Sequence, residues 1–238
     1  MRKVQAALLC GFGGMMLTQL ACEPTYTYVG YQMYDHMPLD ADRTWTYAND
    51  GEAGFELAVH KAEMPSIQAD QDIFIFEHMN AETGDLLMEV QWSSDSLYGV
   101  LIHGYTTYVT APAGPGPTDT GETGDPPTVG ETVTYDPPIQ FADDRMAPGD
   151  SEITETGGYT FTSSFPYTEA CPNHWTQEWN ECLKVELDDG DGDDSTGSLV
   201  AGDYWLVTRY GIAWFEPTGA PDKWVLKKHD CVKEGVEC

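Results

Sequence analysis

The 238-residue chain carries 40 acidic against 11 basic residues, a net charge of −29, with 41% hydrophobic residues, seven Trp and thirteen Tyr. That store of apolar and aromatic side chains is enough for a real core and argues against wholesale disorder. The lack of Lys/Arg clusters argues against a nucleic-acid partner, whose phosphates need such clusters to release counterions, and against adsorption of the folded surface to anionic lipid.

Met1-Arg2-Lys3 is a positive start, and no charge follows between Val4 and Cys22. The apolar centre is short and interrupted by Gly11, Gly13 and Gly14, so residues 1–21 read as a cleaved signal peptide. A spanning helix typically needs about 20 predominantly apolar residues, and Gln5, the glycines and Gln19 make this a poor one. Leu20-Ala21-Cys22 closes the leader. Residues 22–36 are rich in Tyr, Pro and polar side chains and read as a tether into the fold, with residues 37–238 as a single β-rich domain.

From there, short alternating runs dominate. In GFELAVHK, Phe55, Leu57 and Val59 share a face; in DLLMEVQW, Leu86, Met88, Val90 and Trp92 do. QDIFIFEHM is apolar on both faces at its centre, and LYGVLIHGYTTYV, CLKVEL, DYWLVTRY, GIAWFE and DKWVLKK continue the pattern. Period-two alternation bounded by Gly, Asp, Asn and Pro predicts antiparallel strands, and the fold class is all-β. CPNHWTQEWNEC reads as a short helical turn. Residues 111–132, rich in Pro, Gly, Thr and acid, read as a long solvated loop inserted in the domain.

Two resemblances enter on particular residues. Leu20-Ala21-Cys22 resembles the lipobox of bacterial lipoproteins, although Gln19 stands where that motif usually has an apolar residue. The resemblance implies acylation of Cys22, which would anchor the protein without a spanning helix, since each buried methylene contributes roughly 0.8 kcal/mol. Met37-Pro38-Leu39 with Trp45-Thr46-Tyr47, Tyr135-Asp136-Pro137-Pro138 with Pro148-Gly149-Asp150, Cys182-Leu183-Lys184-Val185-Glu186, and Tyr204-Trp205 with Tyr210-Gly211-Ile212-Ala213 resemble, in order, motifs of a loose group of mostly uncharacterised bacterial envelope lipoproteins. That resemblance implies a strongly bent antiparallel sheet or half-barrel, and it brings no catalytic residues.

Beyond Cys22 the cysteines are Cys171, Cys182, Cys231 and Cys238, an even set that can pair fully in an oxidising compartment. Cys171 with Cys182 and Cys231 with Cys238 are the expected pairs, out of the three connectivities that four cysteines allow. Zinc held by these cysteines with His174 and His229 is disfavoured, because no tight C-x₂₋₄-C pair occurs. Asp189, Asp191 and Asp193 alternate in LDDGDGDDSTGS and could aim three oxygens at one Ca²⁺, but neither the glycine nor the glutamate that an EF-hand loop demands is in place. A solvated acidic hairpin is the competing reading.

Hydrolytic chemistry finds no G-x-S-x-G elbow, no H-E-x-x-H and no P-loop. His36, His60, His78, His103, His174 and His229 are scattered singly, and a carboxylate pair such as Glu77 and Glu82 carries little meaning among so many acids. Tyr26, Tyr28, Tyr31, Tyr34, Trp175 and Trp179 offer aromatic faces for a glycan or protein partner, or for packing against the sheet. The expectation is an exported, outer-membrane lipoprotein of the cell envelope with a non-enzymatic binding or structural role. Its partners would be the membrane through the lipid, and an envelope protein, glycan or apolar ligand on the concave face of the sheet. The alternative is a secreted hydrolase whose site is assembled from scattered Asp, Glu and His.

Overall fold

The structure is a computed structural model. It describes residues 30–37, 39, 43–49, 54–61, 71–109, 128–169, 171, 181–190, 198–218, 223–233 and 236–237. Among these the chain is all-β, broken only by a 3₁₀ turn at Met33–Asp35.

The first half runs β1 (Tyr31–Gln32), β2 (Arg43–Asn49), β3 (Phe55–Lys61), β4 (Phe74–Asn80), β5 (Leu86–Asp95), β6 (Gly99–Val109) and β7 (Thr128–Ala142). After β8 (Arg145–Met146) come β9 (Asp150–Thr156), β10 (Tyr159–Phe165), β11 (Thr168–Glu169) and β12 (Cys182–Asp188). The chain ends with β13 (Gly202–Val207), β14 (Gly211–Pro217), β15 (Trp224–Lys233) and β16 (Val236–Glu237). The alternation legible in the sequence governs which side chains enter the core: Trp45 and Tyr47 of β2, Leu57 and Val59 of β3, Val90 and Trp92 of β5, Val185 and Leu187 of β12 are buried together.

Strands β2 to β7 form an antiparallel meander, and β9, β10, β12, β13, β14 and β15 form a second. β15 then pairs with β2, from Trp224 opposite Asn49 to Cys231 opposite Arg43. This pairing of last with first bends the sheet into a nearly closed barrel. The expected bend is therefore carried further than a half-barrel, and closure removes two edges that would otherwise invite aggregation. One seam remains, between β7 and β9. There the Gln140 N–H donates to Thr154 Oγ1 at 3.0 Å, and the Ser163 hydroxyl of β10 donates to the Phe141 carbonyl of β7. Pro137 and Pro138, which have no N–H to offer, sit where β7 bulges against β6, between the Ile102–Ile139 and Gly104–Thr134 pairs. Gly104 is required at this bulge, because a Cβ would lie 2.3 Å from the Val133 carbonyl oxygen.

The segment 128–132, read from the sequence as part of the inserted loop, is strand. Thr128 to Thr132 pair with Val109 to Thr106 of β6. Their Thr and Val content suits a strand, but Gly130 and Glu131 and the adjoining Pro-rich run hid the signal.

Antiparallel alternation gives the barrel two rims. The proximal rim bears the β3–β4, β5–β6, β7–β9, β10–β12 and β13–β14 connections; the distal rim bears the others. The chain enters at the proximal rim, where β1 pairs with β8 and the Met33 N–H bonds to the Asp144 carbonyl at 3.1 Å. Met33 and Met37 then drop into the core as a plug. Gly99 packs the β5–β6 turn beneath this rim with φ +75°, and a Cβ there would lie 2.2 Å from the Ala142 carbonyl oxygen. Gly99→Ala should therefore lower the unfolding free energy by at least about 2 kcal/mol, read from urea midpoints at unchanged m-value.

Cys171 and Cys182 form a disulfide, with Cα atoms 4.9 Å apart. It ties the entry of β12 to the chain eleven residues earlier. Replacing both cysteines by serine should cost about 3 kcal/mol by the loop-entropy relation, checked by thermal melts of oxidised protein and variant.

Candidate functional site

Three places in the barrel gather the side chains that chemistry would need: its interior, a Ser–His pair on its outer face, and the base of the acidic loop.

A belt of rings crosses the interior. Trp45 stacks on Phe76 (5.9 Å between centroids), Phe76 meets Trp92 (5.7 Å), and Trp92 meets Phe141 edge-on (5.2 Å). Phe141 meets Tyr204 (5.0 Å), and Tyr204 stacks on Phe215 (4.5 Å). Three polar groups in and beside this belt are tied to backbone, whereas the Trp92 indole N–H has no partner among the described residues. Trp45 Nε1–H donates to the Tyr210 carbonyl at 2.7 Å, Tyr47 to the Ile212 carbonyl at 2.6 Å, and Tyr204 to the Val200 carbonyl at 2.5 Å. Burial raises the phenol pKa of Tyr47 and Tyr204 far above the ordinary value, so neither serves as an acid or base near neutrality. Among the described residues an apolar pocket of about 40 Å³ remains between Tyr47, Phe76, Trp92, Tyr204 and Phe215. Ligand pockets of drug size run to about 300 Å³ or more, so this one is small beside the apolar ligand expected on the concave face. Towards the distal rim the same pocket is lined by Phe55, His78, Met88 and Leu199. His78 lies against Phe55 (5.1 Å), and desolvation lowers its pKa to about 4.

On the opposite face of β5, Ser93 Oγ lies 2.8 Å from His103 Nε2 of β6. A serine within reach of a histidine is the pairing that a nucleophile and its base would need. Two features set this pair apart from a catalytic one. Both residues are buried, covered by the chain leading into β4, from which Gln71 Oε1 accepts the Ser93 hydroxyl at 3.3 Å and Gln71 Nε2 donates to Asp95 at 2.6 Å. Among the described residues the other ring nitrogen, Nδ1 of His103, meets no hydrogen-bond partner to orient the ring. Burial lowers the His103 pKa to about 4, which leaves a neutral ring. The arrangement is a sealed polar stitch that fastens the outer covering to the sheet.

The acidic loop is anchored rather than open at its base. Asp189 is buried, and its Oδ2 accepts the Ser198 N–H at 2.7 Å; the Ser198 hydroxyl lies 2.8 Å from the Tyr135 hydroxyl inside the barrel. Asp189 thus caps the loop, the role Asp plays well when backbone N–H groups lack partners. Asp191 and Asp193, the other two expected Ca²⁺ ligands, lie outside the described residues, and among the described residues no three His, Cys, Asp or Glu side chains gather as a metal site. With Asp189 engaged, melting temperatures with EDTA and with millimolar Ca²⁺ should coincide.

No protein-family model matches this chain, and neither curated proteins nor solved structures provide a match.

The remaining candidates are dispersed. His36 is buried at the proximal plug, with Nδ1 3.0 Å from the Gln32 carbonyl and Nε2 2.8 Å from Thr208 Oγ1. His229 lies between the rings of Trp45 and Tyr210, at 5.3 and 5.4 Å. Glu77 sits in β4 opposite Glu89, while Glu82 belongs to the β4–β5 turn, where Asn80 Oδ1 accepts its N–H at 2.9 Å. Cys22, Cys238, Tyr26, Tyr28, His174, Trp175, Trp179 and the side chains of His60 and Cys231 lie outside the described residues. The pairing of Ser93 with His103 was not legible in the sequence, because it arises across neighbouring strands and neither residue sits in a local motif. A second aromatic group, Trp205 with Trp214 (5.8 Å), lies on the outer face beside the disulfide, with the Lys184 ammonium 5.1 Å from the Trp205 ring centroid.

Proposed function

We propose that this chain is an exported protein of the bacterial cell envelope, anchored through an acylated Cys22, that acts without catalysis as a binding or structural module. The observation that supports the non-catalytic part is the belt of tryptophan, phenylalanine and tyrosine across the interior, which among the described residues leaves a pocket of about 40 Å³, small for a substrate. The Ser93–His103 pair adds weight against a hydrolase, since it is buried and, among the described residues, no carboxylate stands behind its histidine. Partner contact then falls to the outer surface of the barrel and its rims. The anchoring part rests on the uncharged leader and on Leu20-Ala21-Cys22. Mass spectrometry of the mature N-terminus tests it: acyl chains on Cys22 are expected, and an unmodified terminus would overturn the anchor. Activity assays with general ester, peptide and glycoside substrates test the rest, with turnover above background as the result that refutes a non-catalytic role.

A further inference from the structure

One arc of the proximal rim presents apolar side chains where the tether enters, and from this we infer that the rim docks on the surface of the lipid bilayer. The inference rests on the proposed anchoring at Cys22 and adds to it an orientation and a contact surface.

Three connections lie side by side along this arc. The β5–β6 turn packs on the β7–β9 connection, Gly99 fitting against the backbone of Ala142 and Asp143. The β7–β9 connection joins the end of β10 through the Gly149 N–H, which bonds to the Phe165 carbonyl at 2.7 Å. β1, the first described strand, pairs with β8 inside that middle connection, Tyr31 opposite Met146. The chain leading back to Cys22 therefore leaves the barrel from the centre of the arc.

Leu97 is 72% exposed, Tyr98 39% and Tyr167 47%, and all three sit on this arc. The exposure of Leu97 is built in rather than slack. Asp95 Oδ1 accepts the N–H groups of both Leu97 and Tyr98 at 2.7 Å, and Gln71 holds the other oxygen of the same carboxylate at 2.6 Å. The Tyr98 carbonyl is held in turn by Gln140 Nε2 at 2.8 Å. A turn so firmly bonded, tipped with a leucine and flanked by tyrosines, has the chemistry of an interfacial anchor: an apolar tip with amphipathic rings at headgroup level.

Tether length selects the bilayer as the occupant. From Cys22 to Tyr31 the chain can span about 30 Å at most. That is little more than the roughly 23 Å rise of a seven-residue strand. An acylated Cys22 therefore keeps the proximal rim within about a barrel's height of the lipid, at high effective concentration. Asp188 and Asp189 belong to the distal rim, whereas at the proximal one Arg43, Lys61, Arg145 and Arg209 start, end or connect strands beside Asp35, Asp72 and Asp95. Asp143, Asp144, Asp150 and Glu152 also lie by the arc, so the surface it suits is zwitterionic rather than anionic.

The test is hydrogen exchange of the full chain, purified from membranes and reconstituted in phosphatidylcholine vesicles, against the soluble Cys22→Ser protein. Slower exchange is expected at residues 96–98 and 167–168 on vesicles, with residues 157–158 and 199–201 of the distal rim unchanged. Leu97→Ser combined with Tyr98→Ser, both at exposed positions, should abolish the slowing while leaving the melting temperature in place. An acylated protein retained on vesicles whose two rims exchange as in the soluble form would overturn docking and leave the anchor standing. A mature chain without acyl groups would overturn both, and protection that grows when phosphatidylglycerol is added would refute the zwitterionic preference.

Discussion

Lowering the pH from 6.5 to 4 should destabilise this protein by several kcal/mol, although it is an acidic chain. His78 and His103 are each desolvated, and the pKa of each falls from 6.5 to about 4. In that window the unfolded chain takes up a proton at each site and the folded barrel does not. Stability present above pH 6.5 is therefore lost as pH falls, and the loss levels off below about pH 4. A shift of that size corresponds to about 3 kcal/mol per histidine, so the two together reach about 6 kcal/mol as an upper figure. His36 and His229 are shifted down as well, each chiefly by desolvation, and add in the same direction. Two effects oppose them. Glu152 is shifted upward, chiefly by burial, and relief of self-repulsion as the net charge shrinks towards the isoelectric point also favours the fold in acid. Variants separate these contributions. His78→Phe keeps the stack with Phe55 and removes one titration, so the difference in unfolding free energy between pH 7 and pH 4.5 should shrink by roughly 2–3 kcal/mol in urea titrations. An unchanged difference in that variant would show that His78 remains solvated enough to titrate normally.

Phe141→Ala should cost about 3–5 kcal/mol, the range for truncating a large aromatic in a core that cannot collapse around the gap. Phe141 is fully buried and is the ring through which Trp92 on one side of the barrel meets Tyr204 on the other. Its neighbours sit on strands held by ladder hydrogen bonds on both sides, so they cannot close inwards. For a domain of this size the melting temperature should fall by about 10 °C. The gap should also behave as an apolar cavity: a benzene-sized probe should raise the melting point of the variant and leave the parent protein unaffected. If the variant loses less than about 1 kcal/mol, the belt is loosely packed and the filled-barrel reading of function fails with it.

Much of the fold was legible because strands announce themselves locally. Leu57 and Val59, Val90 and Trp92, Val185 and Leu187 alternate with polar neighbours, and each pair lies in the core. The Cys171–Cys182 pairing was also within reach, since a short separation in sequence favours a bridge once two cysteines oxidise. Other features could not be read this way. Thr128 to Thr132 looked like loop because their Pro- and Gly-rich flank masks a strand whose partner, Thr106 to Val109, lies across that flank. Alternating aspartates in a glycine-rich run suit a cation as well as a solvated turn, so the sequence left both readings open at Asp189. Only the fold shows its carboxylate turned to the Ser198 N–H. Ser93 and His103 had no signal at all, since their meeting depends on the register between β5 and β6, including a bulge between Gln91 and Trp92.

The amino-acid sequence alone therefore determined the class of fold, because backbone alternation and side-chain polarity act over a few residues. It also determined the acidic balance of the chain, because net charge needs no coordinates. The tertiary structure alone decided whether the bent sheet would close and what would fill it. Closure depends on β15 meeting β2 from the far end of the chain, a contact between segments more than 170 residues apart in which no local propensity takes part. The filling depends on it in turn: Phe76, Trp92, Phe141 and Tyr204 come from four separate strands and become one apolar belt only when the circle is joined.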